Sequence, residues 1–122
     1  MKIERDQPGG RNTFTGYGEG YVEVGGKRYH ESLVVSADRI VAAWPAKSVD
    51  ELSADHMAAI VELSAQIVLL GTGPVFHFAP PALLAPLYKA GVGVEVMDTP
   101  AACRTYNILL GEGRNVVAAL IL

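Results

Sequence analysis

Two short turns carry the residue types best suited to binding a ligand. Gly71 to Gly73 follows the apolar run Ile67 to Leu70, and Asp98-Thr99 follows Val94 to Met97. Glycines let backbone N–H groups approach an anion closely, and a helix that starts after Asp98 offers free N–H groups at the positive end of its dipole. If the two apolar runs are neighbouring parallel strands, both turns lie at the carboxyl edge of one sheet, where open α/β sheets usually bind ligands.

The same residues also have ordinary structural roles. Glycines after a strand most often serve a sharp turn, and Asp98 or Thr99 most often caps a helix. The triplet Gly71 to Gly73 lacks the G-x-x-x-x-G-K-[ST] spacing of a phosphate loop and the G-x-G-x-x-G continuation of a dinucleotide site. The sequence therefore leaves a binding role and a structural role open at both turns.

The helix predicted after the second turn adds three candidates. Cys103 lies in its first turn, where the helix dipole can lower a thiol pKa, and the alternative is a small buried side chain facing the sheet. Arg104 has the chemistry to bind an anionic ligand, and its alternative is an ion pair with Asp98 or Glu112. Asn107 lies one turn after Cys103, and we expect it to bond to a neighbouring loop. The candidate ligand-binding residues are Gly71, Thr72, Gly73, Asp98, Thr99, Cys103, Arg104 and Asn107.

No catalytic or metal site is predicted. His30, His56 and His77 share no ligand spacing, and no H-E-x-x-H motif accompanies them. The sequence has no G-x-S-x-G element of a serine hydrolase. His77 lies between Phe76 and Phe78, and we expect an exposed histidine opposite two packed rings. We therefore expect no metal and no cofactor, and we favour a protein that is not an enzyme.

Composition indicates an ordinary globular protein. The 122 residues are 50% hydrophobic and 19% charged with a formal net charge of −3, which predicts a single domain over 1–122 with 1–13 loosely ordered. Lysines and arginines are scattered, so we expect no nucleic-acid partner. The longest apolar run, Val116 to Leu122, is too short to span a membrane, and residues 1–10 lack the apolar core of a secretory signal. We expect a cytoplasmic protein.

The order of predicted elements favours an α/β fold with parallel strands. Gly25-Gly26 connects a hairpin, Pro81 opens one helix, and Pro100 suits the first turn of another. A capping-box pattern over Ser48 to Glu51 marks a helix start, and Ser53 marks a second one. The predicted segments are strands at Tyr21–Val24, Lys27–Tyr29, Ser32–Val35, Arg39–Trp44, Ile67–Leu70, Val92–Met97 and Val116–Leu122, and helices at Ala54–Leu63, from Pro81 to Gly91 and at Ala101–Leu110.

A block of motifs resembles a known family. The block comprises Gly71-Thr-Gly73, Gly93 to Thr99, Ala102-Cys-Arg-Thr-Tyr-Asn107 and Glu112-Gly-Arg114 with the apolar tail. The chain resembles, over roughly residues 14 to 122, the small-domain family that includes mitochondrial complex I assembly factor three and the adipogenesis-associated Mth-type domain protein.

The resemblance implies a compact layered α/β domain with a central mixed β-sheet, flanking helices and a β-hairpin-rich N-terminal part. It brings no established activity and no catalytic residues. The assembly-factor relatives suggest a role in protein-complex assembly, with a protein partner or a homo-oligomer as the expected contact. The alternative is a protein, enzyme or sensor, that binds a small molecule or anion at the edge formed by Gly71 to Gly73 and Asp98 to Arg104. The ligand is unknown. The mitochondrial partner cannot be transferred, because no transit peptide is evident.

Overall fold

The computed structural model describes residues 10–122, and it consists of eight strands and three α-helices within that range. The strands are β1 Phe14–Gly18, β2 Tyr21–Val24, β3 Lys27–Tyr29, β4 Leu33–Val35, β5 Ile40–Val41, β6 Ile67–Thr72, β7 Gly93–Met97 and β8 Val116–Ile121. The helices are α1 Ala54–Val61, α2 Pro81–Lys89 and α3 Thr99–Gly111. The predicted α/β class is confirmed.

Five strands form the central sheet in the order β5-β4-β8-β6-β7. Strand β6 runs parallel to both β7 and β8, while β4 is antiparallel to β8, so the sheet is mixed as predicted. The register places Gly71 opposite Met97, and the carboxyl ends of β6 and β7 therefore lie side by side. Strands β1, β2 and β3 form a separate antiparallel sheet that contains the expected hairpin.

Alternating side chains of the central sheet build two cores, one on each face. On β6, Val68 and Leu70 belong to the core that includes Met57 of α1 and Leu87 of α2. The intervening Leu69 belongs to the other core, which includes the buried face of α3 and the inner residues of the small sheet. The molecule therefore has α1 and α2 on one face of the central sheet, with α3 and the small sheet on the other.

The start of α1 differs from the capping-box prediction. Val49–Glu51 forms one 3₁₀ turn, and the side chain of Ser48 makes no capping bond. The carboxylate of Glu51 instead accepts the N–H of Lys47 (2.9 Å), so it is not available to complete a box with Ser48. The box forms at the second predicted start: Ser53 Oγ accepts the His56 N–H (3.3 Å), and the Ser53 N–H donates to His56 Nδ1 (3.0 Å).

The N-terminal part contains a strand that the sequence did not predict. Strand β1 reads as a glycine-containing polar stretch, yet it pairs with β2 and buries Phe14. Of the segment expected to be loosely ordered, residues 1–9 lie outside the described residues. Asn12 is fully buried, and its backbone N–H donates to the Ala37 carbonyl (2.8 Å). The chain is therefore fastened in place before β1 begins.

Candidate functional site

The two candidate turns meet as predicted, and they bond directly to each other. The Gly73 N–H donates to Thr99 Oγ1 (2.9 Å), and the Thr99 N–H donates to the Gly73 carbonyl (2.8 Å). The Thr99 hydroxyl also donates to the carbonyl of Ile121 at the end of β8. One buried threonine therefore joins the carboxyl ends of β6 and β8 to the start of α3, and we call this arrangement the threonine junction (Gly73, Thr99, Ile121).

Gly71 and Gly73 are required for different reasons, the first by packing and the second by its backbone conformation. A Cβ on Gly71 would lie 2.8 Å from both Leu120 Cδ2 and Thr99 Oγ1, so no side chain fits between β6 and α3. Gly73 has a φ of 113°, a backbone conformation that other residues rarely adopt. Gly71 therefore leaves no space for a ligand, whereas the position of a Cβ on Gly73 has no other atom within 4 Å.

The polar groups next to the junction are also engaged within the protein. Thr72 Oγ1 donates to the Val75 carbonyl (3.1 Å) and accepts the His77 N–H (3.0 Å), which fixes the loop after β6. Asp98 Oδ1 accepts the Ala101 N–H (2.8 Å) and caps α3. The structure thus brings the candidate turns together and gives their polar groups structural partners.

Cys103 does not have the properties of a reactive thiol. Its side chain is buried, and burial raises the pKa of its thiol from 9.0 to about 12, although the charge of Arg104 acts in the opposite direction. Of the two alternatives that the sequence left open, the structure has the buried side chain, because desolvation of the thiolate outweighs any lowering of the pKa by the helix dipole. Cys103 packs as a small apolar side chain between α3 and the sheet.

Arg104 is exposed and directed towards the small sheet. Its Nη1 donates to Tyr17 Oη (2.7 Å), and its guanidinium carbon lies 5.9 Å from the centre of the Tyr17 ring. The expected ion pair with Asp98 or Glu112 is not formed; within residues 10–122 the ion pair shorter than 4 Å joins Arg28 to Glu23. Among the described residues, no carboxylate lies within that distance of Arg104.

Asn107 bonds to the backbone of strand β1, whereas the sequence analysis expected a bond to a loop. Its Oδ1 accepts the Phe14 N–H (2.9 Å), and its Nδ2 donates to the Phe14 carbonyl (2.7 Å). Tyr106, on the same helix, is fully buried and donates from its hydroxyl to the Asn12 carbonyl (2.9 Å). These two side chains attach the N-terminal part to α3 and are not available to a ligand.

Open space lies beside the threonine junction. Three clefts of about 430, 350 and 230 Å³ surround the carboxyl edge of the central sheet, and Leu122 lines each of them. The second, which we call the tyrosine cleft, is lined by residues that include Tyr17, Tyr21, Pro74 and Pro100. The clefts adjoin the predicted edge of the sheet. The sequence analysis did not include the tyrosines, because β1 was not recognised as a strand facing α3.

The loop after β6 exposes a run of large apolar side chains. Val75, Phe76 and Phe78 are 60%, 57% and 70% exposed, and we call residues 74–80 the aromatic loop. The expectation that the two phenylalanine rings pack inside is wrong, because the Thr72 hydroxyl holds the loop by its backbone and leaves the rings outside. The sequence did contain a signal for this exposure: Val75, Phe76 and Phe78 lie between Pro74 and Pro80, outside any predicted strand or helix.

Residues 10–122 contain no group of three or more His, Cys, Asp and Glu side chains placed to hold a metal ion. None of the helices in this part of the chain has the length and apolar character required to cross a bilayer.

Comparison with known proteins places the chain in a family. A family described as "Protein of unknown function (DUF498/DUF598)" matches residues 14–121. The chain belongs to this family. A DUF498 relative, an uncharacterised protein of Rhodobacter capsulatus, is 38% identical over 108 residues, which cover 87% of this chain and 81% of the relative. The crystal structure of a protein from Bordetella parapertussis is 42% identical and superposes with a TM-score of 0.86, covering 91% of this chain and 95% of that one.

One human relative is named as an assembly factor. NADH dehydrogenase [ubiquinone] 1 alpha subcomplex assembly factor 3 of Homo sapiens is 36% identical over 83 residues. The matched segment covers 66% of this chain and 45% of the human protein, so more than half of that protein lies outside the match. The resemblance identified from the sequence motifs is confirmed.

Proposed function

We propose that this DUF498 protein is a non-enzymatic interaction domain that assists the assembly of a protein complex. The human relative named as an assembly factor supports this role, since the shared segment is most of the present chain. The internal engagement of the candidate polar residues supports a non-enzymatic role. The partner remains to be identified, because the match covers less than half of the human protein.

The aromatic loop is the surface that we propose for partner binding. Three large apolar side chains in a stretch of four residues are more than half exposed, and clustered exposed apolar residues mark interaction sites on soluble domains. Phenylalanine is among the residues enriched in protein interfaces. The two hydrogen bonds of Thr72 hold the loop, so less conformational entropy is lost when a partner binds. This exposed, fixed loop is the observation that carries the proposal.

A neighbouring cleft provides a place for a side chain of the partner. Its volume is about 230 Å³, and its walls include Phe78, His77 and the segment from Lys47 to Asp50. A partner that covers the phenylalanine rings would extend over this opening. The proposed contact therefore combines an apolar projection with an adjacent recess.

The test is affinity capture from the native host with a double variant, Phe76→Ser and Phe78→Ser. The matched control is Tyr88→Ser and Ile108→Ser, which replaces two exposed apolar side chains on α2 and α3. Both variants should keep the wild-type free energy of unfolding within about 0.5 kcal/mol, because the replaced side chains are exposed. We expect a stoichiometric partner with the wild type and the control, and its loss with the loop variant.

Two results would contradict the proposal. The first is a partner that is captured equally by the loop variant and the wild type, which would place the contact elsewhere. The second is the absence of any stoichiometric partner together with a monomeric mass from light scattering. A dimer that dissociates only in the loop variant would identify a second copy of the chain as the partner.

We further propose that residues 1–122 form one domain and that the protein acts in the cytoplasm. The first proposal is supported by the two cores, which share the central sheet. The second rests on the composition of the chain, whose single cysteine agrees with a reducing compartment. Limited proteolysis and cell fractionation test them: release of a stable fragment smaller than the described range, or recovery outside the cytoplasmic fraction, would contradict them.

A further inference from the structure

The tyrosine cleft lies between the small sheet and the start of α3. Its volume is about 350 Å³, at the lower end of the range for small-molecule sites. Tyr17 and Tyr21 approach it from the β1–β2 hairpin, while Pro74 and Pro100 approach it from the two turns at the sheet edge. The cleft is therefore concave and formed by elements that the threonine junction and the hairpin hold in place.

The ring of Tyr21 is held in one position. A Cβ added to Gly18 would lie 2.5 to 2.8 Å from its ring and hydroxyl atoms, so the ring packs directly on the glycine backbone. The guanidinium carbon of Arg28 lies 4.2 Å from the ring centre, a cation–π distance. Glu23 pairs with Arg28 (3.6 Å) and offsets its charge. Tyr21 thus provides a fixed, largely apolar wall.

A positive charge lies beside the cleft: Arg104 is not one of the lining residues, but it is bonded to Tyr17, which is. Tyr17 accepts a hydrogen bond from Arg104 Nη1, which uses one of the five donors of that guanidinium. Unlike Arg28, Arg104 has no ion pair within 4 Å in the part of the chain that the structure describes. A guanidinium presents its N–H donors in a planar fork that suits a carboxylate. The charge of Asp98 also acts on Arg104, from beyond that distance.

The cleft also contains one opposing charge. Glu19 lies in its lining, so a ligand with two negative charges would meet repulsion that a ligand with one would largely avoid. Aromatic and proline walls favour an apolar body. Charge and shape together specify the class of ligand.

We propose that the tyrosine cleft binds a small carboxylate monoanion with an apolar body, whose head group lies against Arg104. The apolar part lies between Tyr21 and the prolines Pro74 and Pro100. This binding site is separate from the aromatic loop, and it does not require a protein partner. The sequence predicted that a ligand would bind to the polar atoms of the two turns, whereas the proposed site is the open space beside them.

Three probes of one shape test the proposal on the purified protein. The probes are 3-phenylpropanoate, the neutral 3-phenylpropan-1-ol and the cationic 3-phenylpropylamine, each titrated with detection by amide NMR. We expect the carboxylate to bind at least about fivefold more tightly than the alcohol, with shifts centred on Gly18, Gly20 and Thr99. The amine should bind most weakly. No binding of the carboxylate, equal binding of the three probes, or shifts centred elsewhere would overturn the proposal.

Variants at the cleft distinguish the two charges. Arg104→Gln should weaken binding of 3-phenylpropanoate by about fivefold and leave binding of the alcohol unchanged. Glu19→Gln should tighten binding of the carboxylate. The matched control Arg114→Gln removes an exposed arginine beyond the other end of α3 and should have no effect. Unchanged affinity in Arg104→Gln, or the same loss in Arg114→Gln, would overturn the assignment. Because no partner is present, the outcome does not depend on the proposed assembly role.

Discussion

Replacement of Thr99 by valine removes the hydroxyl of the threonine junction while keeping a side chain of similar shape. The hydroxyl accepts the Gly73 N–H and donates to the Ile121 carbonyl, and Thr99 is only 5% exposed. Thr99→Val leaves both groups without that partner in a buried position, at a cost of about 1 to 3 kcal/mol each. We expect the free energy of unfolding to fall by about 3 kcal/mol, a large fraction of the total stability of a domain of this size.

Thr99→Ser is the matched control, because it keeps the hydroxyl and removes one methyl group. We expect it to cost about 1 kcal/mol, close to the transfer free energy of the lost group. Urea unfolding measures both values through the fluorescence of Trp44, the only tryptophan and a buried one. Amide hydrogen exchange at Gly73 should accelerate in Thr99→Val and remain slow in Thr99→Ser. Equal stabilities of the two variants, or unchanged protection of Gly73 in Thr99→Val, would refute the junction as the source of stability.

Three further predictions concern the same region. Gly71→Ala should lower the free energy of unfolding by about 1 to 3 kcal/mol in urea titrations, because its Cβ would lie 2.8 Å from Leu120 and Thr99 atoms; wild-type stability would show that α3 moves away freely. Asn107→Asp should cost about 2 kcal/mol by the same measurement, since a carboxylate cannot donate to the Phe14 carbonyl, and an unchanged value would contradict that role. The thiol reagent DTNB should leave Cys103 unmodified at pH 8 until urea unfolds the protein, and rapid native labelling would contradict its burial. Burial raises its pKa from 9.0 to about 12, so stability should fall as the pH rises above about 9 towards 12, and less so in Cys103→Ala; equal pH dependence would contradict the shift.

The α/β part of the fold was predictable because its sequence signals are local. Strand β6 starts as a short apolar run, although it continues through Gly71 to Thr72, past the end that the glycine predicted. Helix α3 has Asp98 as its N-cap and Pro100 in its first turn. Signals of this kind indicate where an element begins and ends, and right-handed connections then favour parallel pairing of β6 with its neighbours. The carboxyl edge of the sheet followed from the same reasoning.

Strand β1 and the tyrosine cleft were not predictable in the same way, because long-range contacts determine them. The backbone of Phe14 bonds to Asn107, which lies 93 positions later, and Tyr17 bonds to Arg104 across a similar distance. Phe14, Thr15 and Tyr17 favour a strand but the two glycines do not, so pairing with β2 and contact with α3 decide the conformation of β1. The buried state of Cys103 has the same origin, since the helix dipole is a local effect and desolvation depends on the packed tertiary structure.

The two turns lie where open α/β sheets usually bind ligands, yet their own N–H and hydroxyl groups are bonded within the protein. Parallel strands and a helix start bring N–H donors and hydroxyls together, and a buried donor without a partner is costly. In this chain Thr99 supplies the missing partner from within, so the N–H of Gly73 is satisfied without a ligand. The proposed binding surfaces are therefore the ones that the junction positions. The aromatic loop lies on one side of the junction, and the tyrosine cleft with Arg104 lies on the other. A substitution that opens the junction should therefore disturb both surfaces, whereas Phe76→Ser and Arg104→Gln should each disturb only one.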